Sequence, residues 1–353
     1  MSAGVKPYRR GLVVGKFCPL HRGHMLVIDT ALAACDDVVV ISYTNPEFAG
    51  CGPARRAAWL AALYPQVRAL VLDDPATIPG NDAPDAVQRA FCARLCSAVP
   101  GNTVDAVFTS ESYGDGFAMA LAASFGTPVA HVNVDQARVA VPISGTALRA
   151  DPHGNRRYLH PRVYADFVQR ACFLGGESSG KTTLARALAA HLGTAWAPEY
   201  GRELWERQDG VLAYADMVHI GAAQLAREGT LAEEAHRWLI CDTSPLVTQF
   251  YSQAMFDAVD PALAAMAYQP YAVTFVCAPD FDFVQDGTRV DAAFRLRQHA
   301  WYCAELDRRG IAYTLLSGPP GARVAQAARV LNMHRGGVGA RIDGVNSKQD
   351  EGG

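Results

Sequence analysis

The sequence predicts an α/β protein of two domains, each built from parallel strands with covering helices. Three observations carry this. Short apolar runs alternate with helical stretches along most of the chain, the pattern of strands joined through crossover helices. The length, 353 residues, suits two domains of ordinary size, each able to bury its own core. Two loops of the kind that grip phosphate, and of different chemical types, lie far apart: Gly15-Lys16-Phe17-Cys18-Pro19-Leu20-His21-Arg22-Gly23-His24 and Gly175-Gly176-Glu177-Ser178-Ser179-Gly180-Lys181-Thr182.

The first half opens on a strand at Leu12-Val13-Val14. The loop follows, then a helix from Gly23 to Ala34, whose first N–H groups attract anions. Further strands are expected at Val38–Tyr43, Ala69–Leu72, Val104–Phe108 and Val129–Val132. A polar stretch, Asp151 to Arg157, leads into a short helix at Pro161–Gln169, which places the domain boundary near Tyr158 to Arg170 and a first domain over residues 10–160.

A second domain is expected over residues 168–333. Its strands are Ala171–Leu174, a short Ala195-Trp196-Ala197, Trp238–Cys241, Val273–Cys277 and Tyr313–Leu316. Its helices are Leu184–Leu192, Tyr214–Arg237, Ala292–Arg309 and Ala322–Leu331. Residues 334–353 are Gly-rich and polar without apolar periodicity, as in a disordered tail. No internal repeat relates the two halves.

Half the residues are hydrophobic and the net charge is -3, which offers no basic surplus for wrapping nucleic acid and no acidic run typical of disorder. No apolar stretch approaches the roughly eighteen residues of a membrane span, and Met1 to Arg10 lacks the apolar core of a signal peptide, so the cytoplasm is the expected compartment. The nine cysteines are expected to be reduced thiols within core elements. Cys92 and Cys96 share a helix face without a second metal-ligand pair, while Cys18 stands apart because it lies in a phosphate loop.

In the first loop, His21 and His24 bracket a helix start from which both can address one triphosphate, their imidazole N–H groups neutralising charge as pyrophosphate departs. Lys16 brings a cation, Gly15 and Phe17 shape the loop, and Gly23 permits packing that a side chain would block. Paired histidines can also be metal ligands or ordinary polar residues. Further on, Ile143-Ser144-Gly145-Thr146-Ala147-Leu148-Arg149 sets hydroxyls (Ser144, Thr146) and the Arg149 guanidinium around another helix start, suited to the same triphosphate or to a plain N-cap.

The second loop is a complete Walker A match with its strand and helix in place. Gly175, Gly176, Glu177, Ser178, Ser179 and Gly180 supply the cradle. Lys181 is expected to contact the β- and γ-phosphates, Thr182 to hold Mg²⁺, and Thr183 to continue the binding turn. Asp242 ends an apolar strand as a Walker B carboxylate does. It could bind the metal through water, orient the acceptor hydroxyl, or only cap a helix. Glu199, Tyr200 and Arg202 sit at an expected strand-exit loop, where Glu199 or Arg202 could hold a substrate's ribose hydroxyls or phosphate or be solvated loop charges. Arg289, in Asp286-Gly287-Thr288-Arg289, could cover the transferring phosphoryl group. Tyr200 and Trp205 could stack a substrate ring or pack in the core.

The histidine and serine-threonine-arginine motifs together resemble the nucleotidylyltransferase superfamily, and Phe108-Thr109-Ser110-Glu111 is similar to the strand end flanking the adenine in its nicotinamide mononucleotide adenylyltransferase branch. With the Walker A loop, Glu199 to Glu203, Asp242-Thr243 and Asp286-Gly287-Thr288-Arg289, the chain from about Gly11 to Met333 resembles the NadR family. The resemblance implies a Rossmann-like nucleotidylyltransferase domain followed by a P-loop kinase domain. It also implies ATP and Mg²⁺ as cofactors, and nicotinamide riboside, nicotinamide mononucleotide and NAD as substrates and product. Only Met1 to Arg10 precede the first strand, too little for the helix-turn-helix module of some members, so operator binding is not expected. Two departures stand out. Asp242-Thr243-Ser244-Pro245 replaces a more acidic turn, and Gly145 stands where many adenylyltransferases have serine. A coenzyme A pathway adenylyltransferase-kinase fusion shares the domain order but not the Glu199–Glu203 segment, and a nucleotide-sensing regulator is a rival of another class. The sequence leaves self-association into a homo-oligomer open.

Overall fold

The computed structural model describes residues 5–98, 103–285 and 290–334, and the chain divides into two compact units between Phe167 and Val168. The expected tail lies outside the described residues except for His334, as does the whole of Asp286–Arg289.

The first unit runs β1 (Tyr8–Gly15), α1 (Arg22–Ala34), β2 (Cys35–Ser42), α2 (Pro53–Leu63), β3 (Arg68–Val71), α3 (Asp85–Ala98), β4 (Ala106–Thr109), α4 (Gly114–Phe125), β5 (Ala130–Asn133), α5 (Gly145–Ala150) and α6 (Pro161–Tyr164). The strands pair in parallel in the order β3-β2-β1-β4-β5. Because both faces are covered, the strands read as apolar runs rather than alternating ones. Leu12, Val39, Ile41 and Val107 pack with Phe91, Phe117 and Leu121, each such burial contributing about 1.5–3 kcal/mol. β1 starts earlier than its apolar run suggests. Tyr8 to Arg10 pair with Cys35 to Asp37, and the Arg10 charge is met by the Asp37 carboxylate at 2.7 Å. The helix expected over Pro161–Gln169 stops at Tyr164. There the chain tightens into a 3₁₀ turn, because Asp166 accepts the Trp59 indole N–H at 2.6 Å and Phe167 stacks on the same indole.

The second unit runs β6 (Gln169–Leu174), α7 (Lys181–Leu192), β7 (Trp196–Ala197), α8 (Tyr200–Arg207), α9 (Tyr214–Ala232), β8 (Trp238–Cys241), α10 (Pro245–Phe256), α11 (Pro261–Met266), β9 (Val273–Cys277), α12 (Ala292–Arg308), β10 (Thr314–Leu316) and α13 (Pro320–Met333). Its five strands are all parallel, in the order β10-β9-β6-β8-β7. Phe173, Ile240 and Phe275 of the sheet pack with Leu184 and Leu188 of α7 and Leu331 of α13. α9 ends five residues short of Arg237, which adopts a left-handed φ of 64° and turns the chain into β8. Glu199 to Arg202, expected in a loop, form the start of α8.

Both sheets place their loops by the same logic. In an open parallel sheet, ligands bind beyond the strand C-termini where the connections diverge. In the first unit this lies between β1 and β4; in the second, β6 is flanked by β8 and β9. Among the described residues no helix is long and apolar enough to cross a membrane.

Candidate active sites

In the first unit a cavity of about 480 Å³ opens at the ends of β1 and β4. Gly15, Lys16, Phe17, Cys18 and His24 line it from the first loop, Ser110 and Glu111 from the end of β4, and Ser144, Thr146 and Arg149 from α5. The two sequence motifs are therefore brought to one site. His21, Gly23 and Ile143 are not among the lining residues; they act one layer back.

His21 caps α1. Its Nδ1 accepts the Gly23 N–H at 3.1 Å, and the His24 Nδ1 accepts the His21 N–H at 3.4 Å. The rings lie 3.8 Å apart. Gly23 is required for this, since a Cβ there would lie 2.9 Å from the His21 ring. Accepting at Nδ1 leaves each neutral ring its proton on Nε2. Burial, then the Arg138 and Arg149 charges, hold His21 down at about 4, and burial and His21 hold His24 well below the ordinary imidazole value. The two histidines are thus uncharged hydrogen-bond donors here, and the cations beside them are Arg138, Arg149 and Lys16.

Arg149 donates to the Cys18 carbonyl at 2.7 Å and lies 4.0 Å over the Phe48 ring, so α5 is clasped to the first loop. This accounts for Gly145. A Cβ there would come within 3.2 Å of the Arg149 guanidinium and 3.3 Å of the Cys18 carbonyl. Ser144 is the N-cap of α5, accepting the Ala147 N–H at 3.1 Å, and also faces the cavity. Cys18 is buried between the Cys51 carbonyl and the Arg56 guanidinium, each 3.7 Å from its sulfur, and its pKa is lowered by hydrogen bonding to Cys51 and by Arg56 against the opposing effect of burial. All nine cysteines are free thiols; Cys92 and Cys96 are buried on α3. Arg138 went unnoticed in the sequence. It reaches the cavity from a loop held by Asp135, which accepts three backbone N–H bonds from Val139, Ala140 and Val141.

In the second unit a cavity of about 470 Å³ is lined by Gly175 and Glu177 through Thr183 of the loop, with Glu199, Gly201, Arg202 and Trp205 on α8. Gly176 is not in the lining: it packs on Arg295, whose carbonyl a Cβ would meet at 2.5 Å. Lys181 donates to the Gly175 and Gly176 carbonyls at 2.8 and 3.1 Å. Glu177 is fixed by the Tyr251 hydroxyl (2.9 Å), the Val290 N–H (2.8 Å) and, at its own N–H, the Gln298 amide oxygen (2.7 Å).

Because α8 begins at Tyr200, its residues divide between faces. Glu199, Gly201 and Arg202 face the cavity. Tyr200, expected to touch a substrate, lies outside the lining: its hydroxyl meets His219 at 2.9 Å and its ring packs under Arg207 and Arg227. Glu203 forms a two-toothed ion pair with Arg227.

Asp242 follows β8 directly, and Cys241 pairs with Cys172 of β6, the strand that feeds the loop. The helix-cap reading fails, because the N-cap of α10 is Ser244. Asp242 is 2% exposed and its Oδ1 has no hydrogen-bond partner among the described residues. Burial, then the nearby Glu199 charge, push its pKa up to about 7, with the Thr182 hydroxyl, Lys181 and Arg202 acting in the opposite direction. A buried carboxylate oxygen without a partner beside the Thr182 hydroxyl is a fitting donor set for Mg²⁺, which takes one or two protein ligands and completes its shell from phosphate and water. Among the described residues no group of three or more His, Cys, Asp or Glu could enclose a metal unaided.

A family model described as an AAA domain matches residues 170–323. The sequence is 26% identical, over 298 residues covering 79% of this chain and 71% of the relative, to the trifunctional NAD biosynthesis/regulator protein NadR of Salmonella typhimurium. It is 25% identical over the same extent to that of Escherichia coli. Two solved structures share the fold at 21% identity. A NadR protein in complex with NAD and AMP-PNP has a TM-score of 0.70, with 98% of this chain and 100% of that chain covered. A NadR protein in complex with NR has a TM-score of 0.73, with 97% and 99% covered. Homology and phosphate loop together support an enzyme acting on nucleotides.

Proposed function

We propose that this chain, a homologue of NadR, is a bifunctional enzyme of NAD synthesis. The second unit phosphorylates the 5′-hydroxyl of nicotinamide riboside, and the first adenylates the resulting mononucleotide with release of pyrophosphate. The observation that carries the reading is the presence in one chain of two complete phosphate cavities of different design, across the extent aligned with a relative named for NAD biosynthesis.

In the kinase half, Lys181 would reach the β- and γ-phosphates of ATP, and Thr182 and Asp242 would hold Mg²⁺, which would neutralise charge on those phosphates. Glu199 and Arg202 address the acceptor, and Trp205 offers a flat face to its ring. In the adenylyltransferase half the nucleophile is the substrate's own phosphate, so the protein supplies position and donors: His24 from Nε2, supported by His21, with Arg149, Arg138 and Lys16 as the cations around the leaving pyrophosphate.

A panel of nicotinamide riboside, nicotinamide mononucleotide and phosphopantetheine, each with ATP and Mg²⁺, tests the reading. Phosphorylation of the first, adenylation of the second and no reaction with the third are expected. Turnover of phosphopantetheine alone would replace it with the coenzyme A alternative, and binding without turnover would favour a nucleotide sensor.

A further inference from the structure

Tyr302, on the inward face of α12, is fully buried and lines the cavity of the second unit. Its phenolic oxygen has no hydrogen-bond partner among the described residues. The neighbouring Tyr251 shows the difference: its hydroxyl is committed to Glu177 at 2.9 Å. Tyr302 makes no such bond: the Glu177 oxygens accept from Tyr251 and from the Val290 N–H. The Tyr302 ring is packed 5.6 Å from Phe250 and 5.5 Å from Trp301. One turn earlier on α12, Gln298 bonds the Glu177 backbone, so this face is latched to the phosphate loop. Burial, with Glu199 and Glu177 nearby, holds the Tyr302 phenol well above its ordinary pKa, so it stays a neutral O–H donor. A buried donor without an acceptor is destabilising and calls for an explanation.

Glu199 lies on the cavity wall at the N-cap of α8 and makes no side-chain capping bond. A carboxylate that accepts and a phenol that donates, on two residues lining one cavity, complement an acceptor bearing adjacent hydroxyls. We propose that Tyr302 is a specificity-determining residue of the kinase site, donating its hydrogen bond to a ribose hydroxyl oxygen of the acceptor nucleoside while Glu199 accepts from the same sugar. This rests on the kinase reading of the second unit and names the part of the substrate it grips.

The test is Tyr302→Phe, which removes one oxygen and keeps the ring. KM for the riboside should rise roughly five- to tenfold, the scale of one neutral hydrogen bond, with kcat and the KM for ATP within about twofold of wild type. The thermal midpoint should stay level or rise, because no protein partner is lost. Removing the contacted 2′- or 3′-hydroxyl from the nucleoside should cost wild type a similar factor and the variant nothing further. Unchanged riboside KM, full additivity of the variant with both deoxy analogues, or a lowered midpoint with unchanged KM would each overturn the assignment. If wild type phosphorylates another nucleoside and not the riboside, the substrate reading fails, and the same comparison on the accepted nucleoside decides Tyr302 separately. No nucleoside turnover at all would overturn both.

Discussion

The two cavities each draw on a loop between a strand end and a helix start, and differ in their electrostatics. In the first unit two imidazoles are held neutral by burial and mutual contact, and the positive charge comes from Lys16, Arg138 and Arg149. In the second, the Lys181 charge lies near a carboxylate whose pKa burial has moved to about 7 and one of whose oxygens has no partner among the described residues. A site whose substrate brings its own nucleophilic phosphate needs donors and cations. A site that must hold a metal-bound triphosphate needs a carboxylate beside its lysine.

If that contrast is right, the units can be disabled separately. Lys181→Ala should lower riboside phosphorylation by at least about a thousandfold, while adenylation of supplied mononucleotide stays near wild type, as read by separate half-reaction assays. His24→Ala should lower adenylation about a hundredfold, the scale for losing one preorganised donor, and spare phosphorylation. An unchanged adenylation rate would reduce the histidine pair to helix capping.

Asp242→Asn sharpens the contrast through stability as well as rate. Phosphorylation alone should fall, by about a hundredfold. A carboxylate whose folded pKa is raised favours the folded state at low pH and loses that contribution as pH climbs from the ordinary value to about 7. The amide should therefore raise the thermal midpoint of the second unit at pH 8, on the order of 5 °C, and by less at pH 5. A midpoint that drops at pH 8 would contradict the buried, strained carboxylate.

The pH profile of adenylation gives a smaller effect. His21, with a pKa near 4, and His24, held well below the ordinary imidazole value, impose no protonation limb on adenylation between pH 6 and 8. For the lowered histidines the linkage runs the other way: the first unit loses stability as pH drops from 6.5 toward 4. Least of all, Gly145→Ser should cost adenylation a few-fold, by pressing on the Arg149 bond to the Cys18 carbonyl.

What could be read in the sequence was what is local. Gly175 to Thr182 is a backbone shape encoded in consecutive residues, and Trp238–Cys241 followed by Asp242 places a carboxylate at a strand end before any topology is known. The pairing of the two first-unit motifs was also legible, since each carries its own helix start. The division of Glu199–Glu203 between two faces was not, because it depends on α8 beginning at Tyr200 rather than after a loop. Arg138 stayed hidden because its position is set by left-handed turns at Asp135 and Arg138 itself, and Tyr302 because a tyrosine on an amphipathic helix looks like core until its hydroxyl is found without a partner.

The most direct test of two self-sufficient sites mixes the two single-site variants. Lys181→Ala and His24→Ala, each nearly unable to make NAD from nicotinamide riboside with ATP and Mg²⁺, should together restore NAD formation in one tube, with free mononucleotide accumulating between the steps. Failure of the mixture, when each variant keeps its own intact half-reaction, would contradict the account.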